Sequence, residues 1–192
     1  MLLSLDPPAW HLRHSHAVAE IAAWIALRVV RRGIPVDRGL VESAALLHDV
    51  DKVLPATDPS RALGHGDSSA AWLWERGLGE LAEAVAAHPV TRLASDDVDR
   101  WLGSASVEAR IVAYADKRAG QRLEPMADRF AGWAVEYPNS WPRPIADRTR
   151  RLAEQLEAEV CALAGIAPAD VRRLRWVDLA LTRAALAPGS RS

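Results

Sequence analysis

Cysteine occurs only once in the 192 residues, at Cys161, so the chain cannot close a disulfide on itself and is compatible with a reducing compartment. Neither sign of charge is in excess. The 24 Lys and Arg against 25 Asp and Glu give a formal net charge of -1, without the basic footprint of a polymeric nucleic-acid or membrane-surface binder. An anionic ligand must therefore be met by local basic groups. Long hydrophobic runs are also missing. The most apolar span, residues 17–30, is interrupted by Glu20 and Arg28 and falls short of the roughly 20 residues that a membrane crossing needs. Residues 1–8 have neither the basic start nor the apolar stretch of a signal peptide, so a cytoplasmic location is expected. Clear strand alternation, internal repeats and low-complexity tracts are absent as well.

What remains is an ordinary globular mixture, 49% hydrophobic and 26% charged, long enough for one domain or one domain with a helical extension. Helical periodicity dominates it. Val18, Ile21, Ala22, Ile25 and Val29 predict a helix over residues 10–32, closed by Gly33. Asp37 is the expected N-cap of a second helix, through Val41, Ala44, Ala45 and Leu47 to about Lys52, ahead of Pro55. Residues 53–66, with Pro55, Pro59, Gly64 and Gly66, read as a loop. Further helices are expected over 68–76, 80–88 and 106–123. A proline-rich break follows at 137–144, and two amphipathic helices over 146–164 and 168–186 meet at Gly165. The expected fold class is all-α.

Several histidines lie on core-facing rows, where an unpaired imidazole is costly. His14 continues the row of Val18, Ile21 and Ile25, whereas His16 is rotated by about 200° away from it, so His14 is the better inward ligand. His48 and Asp49 extend the row of Val41, Ala44 and Ala45, and Asp116 that of Ala109, Val112 and Ala113. Imidazoles and carboxylates from several helices suit a first-row divalent ion at the centre of a bundle. A single inward His is more often a hydrogen-bonded core residue, and that reading is kept for His11 and His16.

Three segments carry a resemblance: His14-Ser15-x-x-Val18-Ala19, then Ala44-Ala45-Leu46-Leu47-His48-Asp49-Val50-Asp51-Lys52, then Tyr114-Ala115-Asp116-Lys117-Arg118. Together they resemble the H…HD…D signature of the HD superfamily of metal-dependent phosphohydrolases, over about residues 10 to 130. The resemblance implies a divalent transition metal such as Fe or Mn on His14, His48, Asp49 and Asp116. It also implies an HD domain over 1–135, with 136–192 as a helical extension packed on the same domain. Leu63-Gly64-His65-Gly66 and Ala84-Val85-Ala86-Ala87-His88-Pro89 are similar to the additional histidine positions of binuclear members. This implies two ions, with Asp49 bridging and His65 and His88 on the second.

A metal pair about 3.5 to 4 Å apart lowers the pKa of a bridging water and clamps a phosphoryl oxygen. Beside Asp49, Lys52 is the expected catalytic cation and phosphate contact. Lys117, Arg118 and Arg122 are candidates for further phosphates, and Asp51 for supporting a ligand imidazole. Neither His-His-Glu nor Gly-Tyr-Pro follows His88, which sets the chain apart from the cyclic di-GMP phosphodiesterases of the superfamily. Its compact pattern is more similar to small HD hydrolases acting on nucleotides, including bacterial diadenosine tetraphosphate hydrolases, from which Lys117-Arg118 departs. The expected reaction is hydrolysis of a phosphoester or phosphoanhydride in a small nucleotide-like substrate. An HD-type di-iron oxygenase and a non-catalytic nucleotide-binding module are the alternatives.

Overall fold

The structure is a computed structural model, and it describes residues 1–95, 98–120, 123–136, 143–171, 173–174 and 176–177. Helices follow one another as α1 (Ala9–Arg31), α2 (Arg38–Leu47), α3 (Asp67–Trp74), α4 (Ala82–Ala86), α5 (Val90–Ala94), α6 (Val98–Ser104), α7 (Val107–Arg118), α8 (Met126–Glu136), α9 (Arg143–Ala164) and α10 (Pro168–Val171). The class is all-α. Among the described residues the only β-type pairing is an isolated bridge between Ala119 and Leu123, and no helix is long and apolar enough to cross a membrane.

The predicted apolar rows become the core. Val18, Ile21 and Ile25 of α1, Val41, Ala44 and Ala45 of α2, and Ala109, Val112 and Ala113 of α7 are all fully buried. Each large aliphatic side chain removed from water there contributes about 1.5 to 3 kcal/mol. The alanines let the three helices approach closely, which later brings their polar ends together. Caps set the boundaries. Asp37 Oδ1 accepts from Leu40 N at 3.0 Å, and Ser106 Oγ from Ala109 N at 3.1 Å, each satisfying an otherwise orphaned first-turn amide. At the other end of α1, Gly33 (φ 79°) lets its own amide reach Val30 O and the Ile34 amide reach Val29 O, a Schellman closure.

Three boundaries depart from the sequence expectation. α2 ends at Leu47 with His48 as C-cap, and the chain turns at Asp49 into a 3-10 turn over Val50–Val53 instead of continuing to Lys52. The helix expected over 80–88 is a 3-10 turn, Gly79–Leu81, running into a short α4, and His88 lies just beyond it. α7 stops at Arg118, five residues early, where Ala119 turns extended (φ -120°, ψ 120°). Arg122, most of the expected break at 137–144 and most of the last expected helix lie outside the described residues.

α9 packs on α7, α5 and α1, and its buried Ala153, Leu156, Val160, Cys161 and Ala164 join the same core cluster. A polar clamp reinforces the seam. The buried Arg118 guanidinium donates to Tyr114 Oη, to Glu157 Oε1 at 2.8 Å, to Glu124 O at 2.9 Å and to Pro168 O at 3.2 Å.

Candidate metal centre

The ends of α1, α2 and α7 converge on one point. His14 Nε2 lies 3.0 Å from His48 Nε2, 3.2 Å from Asp49 Oδ2 and 3.4 Å from Asp116 Oδ1. His48 Nε2 is 3.5 Å from Asp49 Oδ2 and 3.6 Å from Asp116 Oδ1. The break after α2 turns the second oxygen of Asp49 elsewhere. Asp49 Oδ1 faces His88 Nε2 at 3.3 Å and His65 Nε2 at 3.4 Å, and these two nitrogens are 3.1 Å apart. One carboxylate thus belongs to two donor clusters, one oxygen in each.

The far nitrogens fix the tautomers. His48 Nδ1 donates to Ala45 O at 2.7 Å, His88 Nδ1 donates to Val85 O, and His65 Nδ1 donates to Asp51 Oδ2 at 2.8 Å. A neutral imidazole that donates from Nδ1 carries a lone pair on Nε2, and each of these lone pairs points to the centre. His14 Nδ1 has a longer contact of 3.4 Å with Gly120 O. Asp51 is itself held by the Ser69 hydroxyl at 2.9 Å, so the His65 support is a relay of Ser69, Asp51 and imidazole.

These donors repel one another unless a cation lies between them. Asp49 is fully buried, and its Oδ1 accepts no hydrogen bond among the described residues. Burial alone opposes ionisation of Asp49, but the imidazoles of His48, His14 and His88 packed around it hold its pKa well below the usual carboxylate range. Asp116 is also lowered, burial being outweighed by the imidazoles of His14 and His48 beside it. The same demand for positive charge acts on His14. Burial disfavours its charged form, yet Asp116 and Asp49 raise its pKa to about 9. His88 is pushed down to about 4, chiefly by burial, and stays neutral with its lone pair available.

The residues fit a metal. With bonds of about 2.0 to 2.2 Å from N and O donors, neighbouring donors on one ion stand roughly 2.9 to 3.6 Å apart, depending on coordination geometry. The separations of 3.0 to 3.5 Å within His14, His48 and Asp49, and of 3.1 to 3.4 Å within Asp49, His65 and His88, fall in that interval.

Other sequence candidates go elsewhere. Lys117 and Arg118, expected to meet phosphates, are instead internal, 0% and 2% exposed. Lys117 Nζ donates to His88 O at 2.7 Å and Ala113 O at 3.1 Å, and burial drops its pKa to about 8. Arg118 is committed to the α9 seam. Lys52 does sit at the centre, but through the 3-10 turn, with Nζ 2.7 Å from Asp49 Oδ2 and no helical register with His48. His16 points outward and is exposed. His11 has a role that its assignment to the core does not reveal: its Nε2 donates to Asp49 O at 3.0 Å and holds the turn that orients Asp49. Its spacing of three from His14, on the same helix face, was the available signal.

The HD domain family model matches residues 12–120, more than half of the chain and every residue of both donor clusters. The chain belongs to the HD domain family. No curated protein and no solved structure gives a significant match to it.

Proposed function

We propose that this HD domain protein hydrolyses a phosphoester or phosphoanhydride bond of a small nucleotide-like substrate. Two divalent transition ions such as iron or manganese would be held by His14, His48 and Asp116 on one side, by His65 and His88 on the other, and by Asp49 between them. The observation that carries this reading is the division of the Asp49 oxygens between two imidazole pairs. When bound, such an ion pair lowers the pKa of a water, clamps a phosphoryl oxygen and stabilises in-line displacement.

The chain's own part is to orient donors and leave one way in. The Nδ1 hydrogen bonds of His48, His65 and His88 fix their rings before any ion arrives, reducing the ordering needed on binding. His14, His48, Asp49 and His88 are buried, whereas the side chains of Lys52 and His65 are 41% and 37% exposed, so substrate enters between these two. The nearby carboxylate of Asp49 raises the pKa of Lys52 against the effect of burial, keeping an ammonium at the entrance. Its stem gives it the reach to shift from Asp49 to a nonbridging phosphoryl oxygen.

The nucleotide preference rests on the likeness of the compact run from His48-Asp49 to Asp116 to small HD hydrolases acting on nucleotides. We place the HD unit at 1–135, with 136–192 as its extension, in a cytoplasmic protein. The test is metal analysis of anaerobically purified protein followed by a nucleotide phosphatase screen. Two ions per chain with phosphate release are expected. A fully loaded protein that consumes dioxygen and releases no phosphate would overturn the proposal in favour of an oxygenase.

A further inference from the structure

Lys117 is fully buried, and a lysine occupies such a place only where its amino group has partners. Nζ donates to Ala113 O, four residues back on α7, at 3.1 Å, which keeps the amino group against its own helix. The second bond leaves the helix. Nζ donates to His88 O at 2.7 Å, across 29 residues of sequence. One end of this contact is fixed by α7, whose Ile111, Val112 and Ala113 are fully buried in the core. An apolar side chain of similar length would fill the same space without the desolvation of an amine, so what the lysine adds here is the bond itself.

The other end is less firmly built. His88 lies in the gap between α4, which ends at Ala86, and α5, which begins at Val90. Each of these helices has five residues, too few to be stable without packing. Upstream, the His88 amide and its Nδ1 both donate to one acceptor, Val85 O, the amide at 3.3 Å. Downstream comes Pro89, which has no N–H to offer. Ala84 and Val85 pack α4 against the core, and the peptide beyond them is gripped from α7 by Lys117. Asp116, one residue earlier, presents Oδ1 to His14 and His48 of the first cluster. Adjacent residues of one helix thus hold a donor of the first ion and the backbone of a donor of the second.

We propose that Lys117 is the positioning residue of the second ion. Its amino group sets the place of the His88 backbone, and with it whether Asp49 Oδ1, His65 and His88 stand close enough to close on a cation. The two imidazole Nε2 atoms are 3.1 Å apart and lie 3.3 and 3.4 Å from Asp49 Oδ1. Displacing one ring by more than about 0.5 Å spoils a donor set of this kind. Lys117 touches neither ion nor substrate in this role, and the first cluster does not depend on it. This deepens the two-ion reading of the site and rests on it.

The experiment titrates metal-free wild type, K117M, K117R and R118A with Mn(II), reading stepwise affinity by calorimetry and pairing of the ions by electron paramagnetic resonance. In K117M the affinity for the second ion should fall about tenfold to hundredfold, the usual effect of removing an outer support of a metal ligand. The first affinity should stay unchanged, and the signal of a spin-coupled pair should give way to that of isolated Mn(II). K117R keeps a donor and should recover part of the second affinity. R118A loosens the same end of α7 without touching His88, and should leave the ratio of the two affinities at the wild-type value. An unchanged ratio in K117M, or an equal shift in R118A, overturns the proposal and leaves Lys117 as a core residue. Should K117M fail to fold, K117Q, whose amide donor is set on a shorter stem, is read by the same ratio. If wild type binds one ion only, the two-ion reading fails by itself, and histidine ring NMR spectra of the metal-free proteins decide the role of Lys117. There His88 should show the Nδ1–H tautomer in wild type and a mixture in K117M, and identical His88 spectra would reject the positioning role.

Discussion

The two halves of the centre are built differently. His14, His48 and Asp116 come from α1, the C-cap of α2 and α7, three elements whose facing residues are fully buried, and all three are less than 10% exposed. His65 and His88 come from a Gly-flanked loop and the second residue after a five-residue helix, and the His65 side chain is 37% exposed. The first half is a continuation of the hydrophobic core. The second is uneven: His88 is buried, bonded to Val85 O and gripped at its carbonyl by Lys117, whereas His65 lies at the edge of the core and is held through Asp51. Donors fixed by core packing need little ordering on binding, whereas donors on short segments retain local freedom. The first half should therefore hold its ion more tightly.

Asp49→Ala is the most severe way to break this comparison, because one substitution removes an oxygen from both halves. It is expected to abolish metal binding and turnover together, read as metal stoichiometry beside phosphate release. Retention of one tightly held ion would show that the first half needs no carboxylate from Asp49. Arg118→Ala strikes the first half from behind, through α7, without touching a donor. Removing one partner of the buried pair with Glu157 should destabilise the fold by about 3 to 5 kcal/mol in denaturant unfolding. An unaltered midpoint would mean that the α9 seam does not depend on the clamp.

His65→Ala and His88→Ala should each lower stoichiometry from two ions toward one while leaving the fold intact. In the wild type, a graded chelator titration should release the ions in two steps. One-step release, with both variants still holding two ions, would erase the proposed difference between the halves. Lys52→Ala leaves both donor sets in place. It should lower kcat/KM about tenfold to hundredfold, the scale of a lost charge-assisted contact worth about 1.5 to 3 kcal/mol, with metal content near wild type. A value within about twofold of wild type would assign Lys52 to holding Asp49 alone. The smallest effect belongs to His16→Ala, two residues from a donor and facing outward. It should match wild type in metal content and turnover, and behaviour like that of His14→Ala would refute the choice between them.

The first half was the more legible in sequence, for the same reason that it is better built. Rows such as His14, Val18, Ile21 and Ile25 carry direction along a helix, so apolar neighbours disclose where a polar member points. Asp37 marked a helix start through ordinary capping chemistry. His65 has no such row around it and His88 only the short one of Leu81 and Val85, in a stretch that is partly 3-10 helix, so the resemblance to binuclear relatives supplied most of their signal. The end of α2 was missed because Pro55 is the next strong breaker, while the turn at Asp49 is held by His11, 38 residues away. Lys117 and Arg118 misled for a related reason. Charge predicts a solvated face, but their acceptors, His88 O and Glu157, lie 29 and 39 residues away and leave no trace in local pattern. Short α5 and α6 offered too few turns for periodicity to register.

The last three residues of α7 face three separate destinations. Asp116 serves the first half of the centre, Lys117 grips the peptide carbonyl of His88 in the second, and Arg118 fastens α9. Successive residues of an α-helix diverge by about 100°, so these assignments index a single rotational setting of the helix. Inserting or deleting one residue within α7 would turn the whole terminus by one such step, presenting each side chain to its neighbour's destination. The length of α7 is consequently as constrained as the identity of any donor it carries.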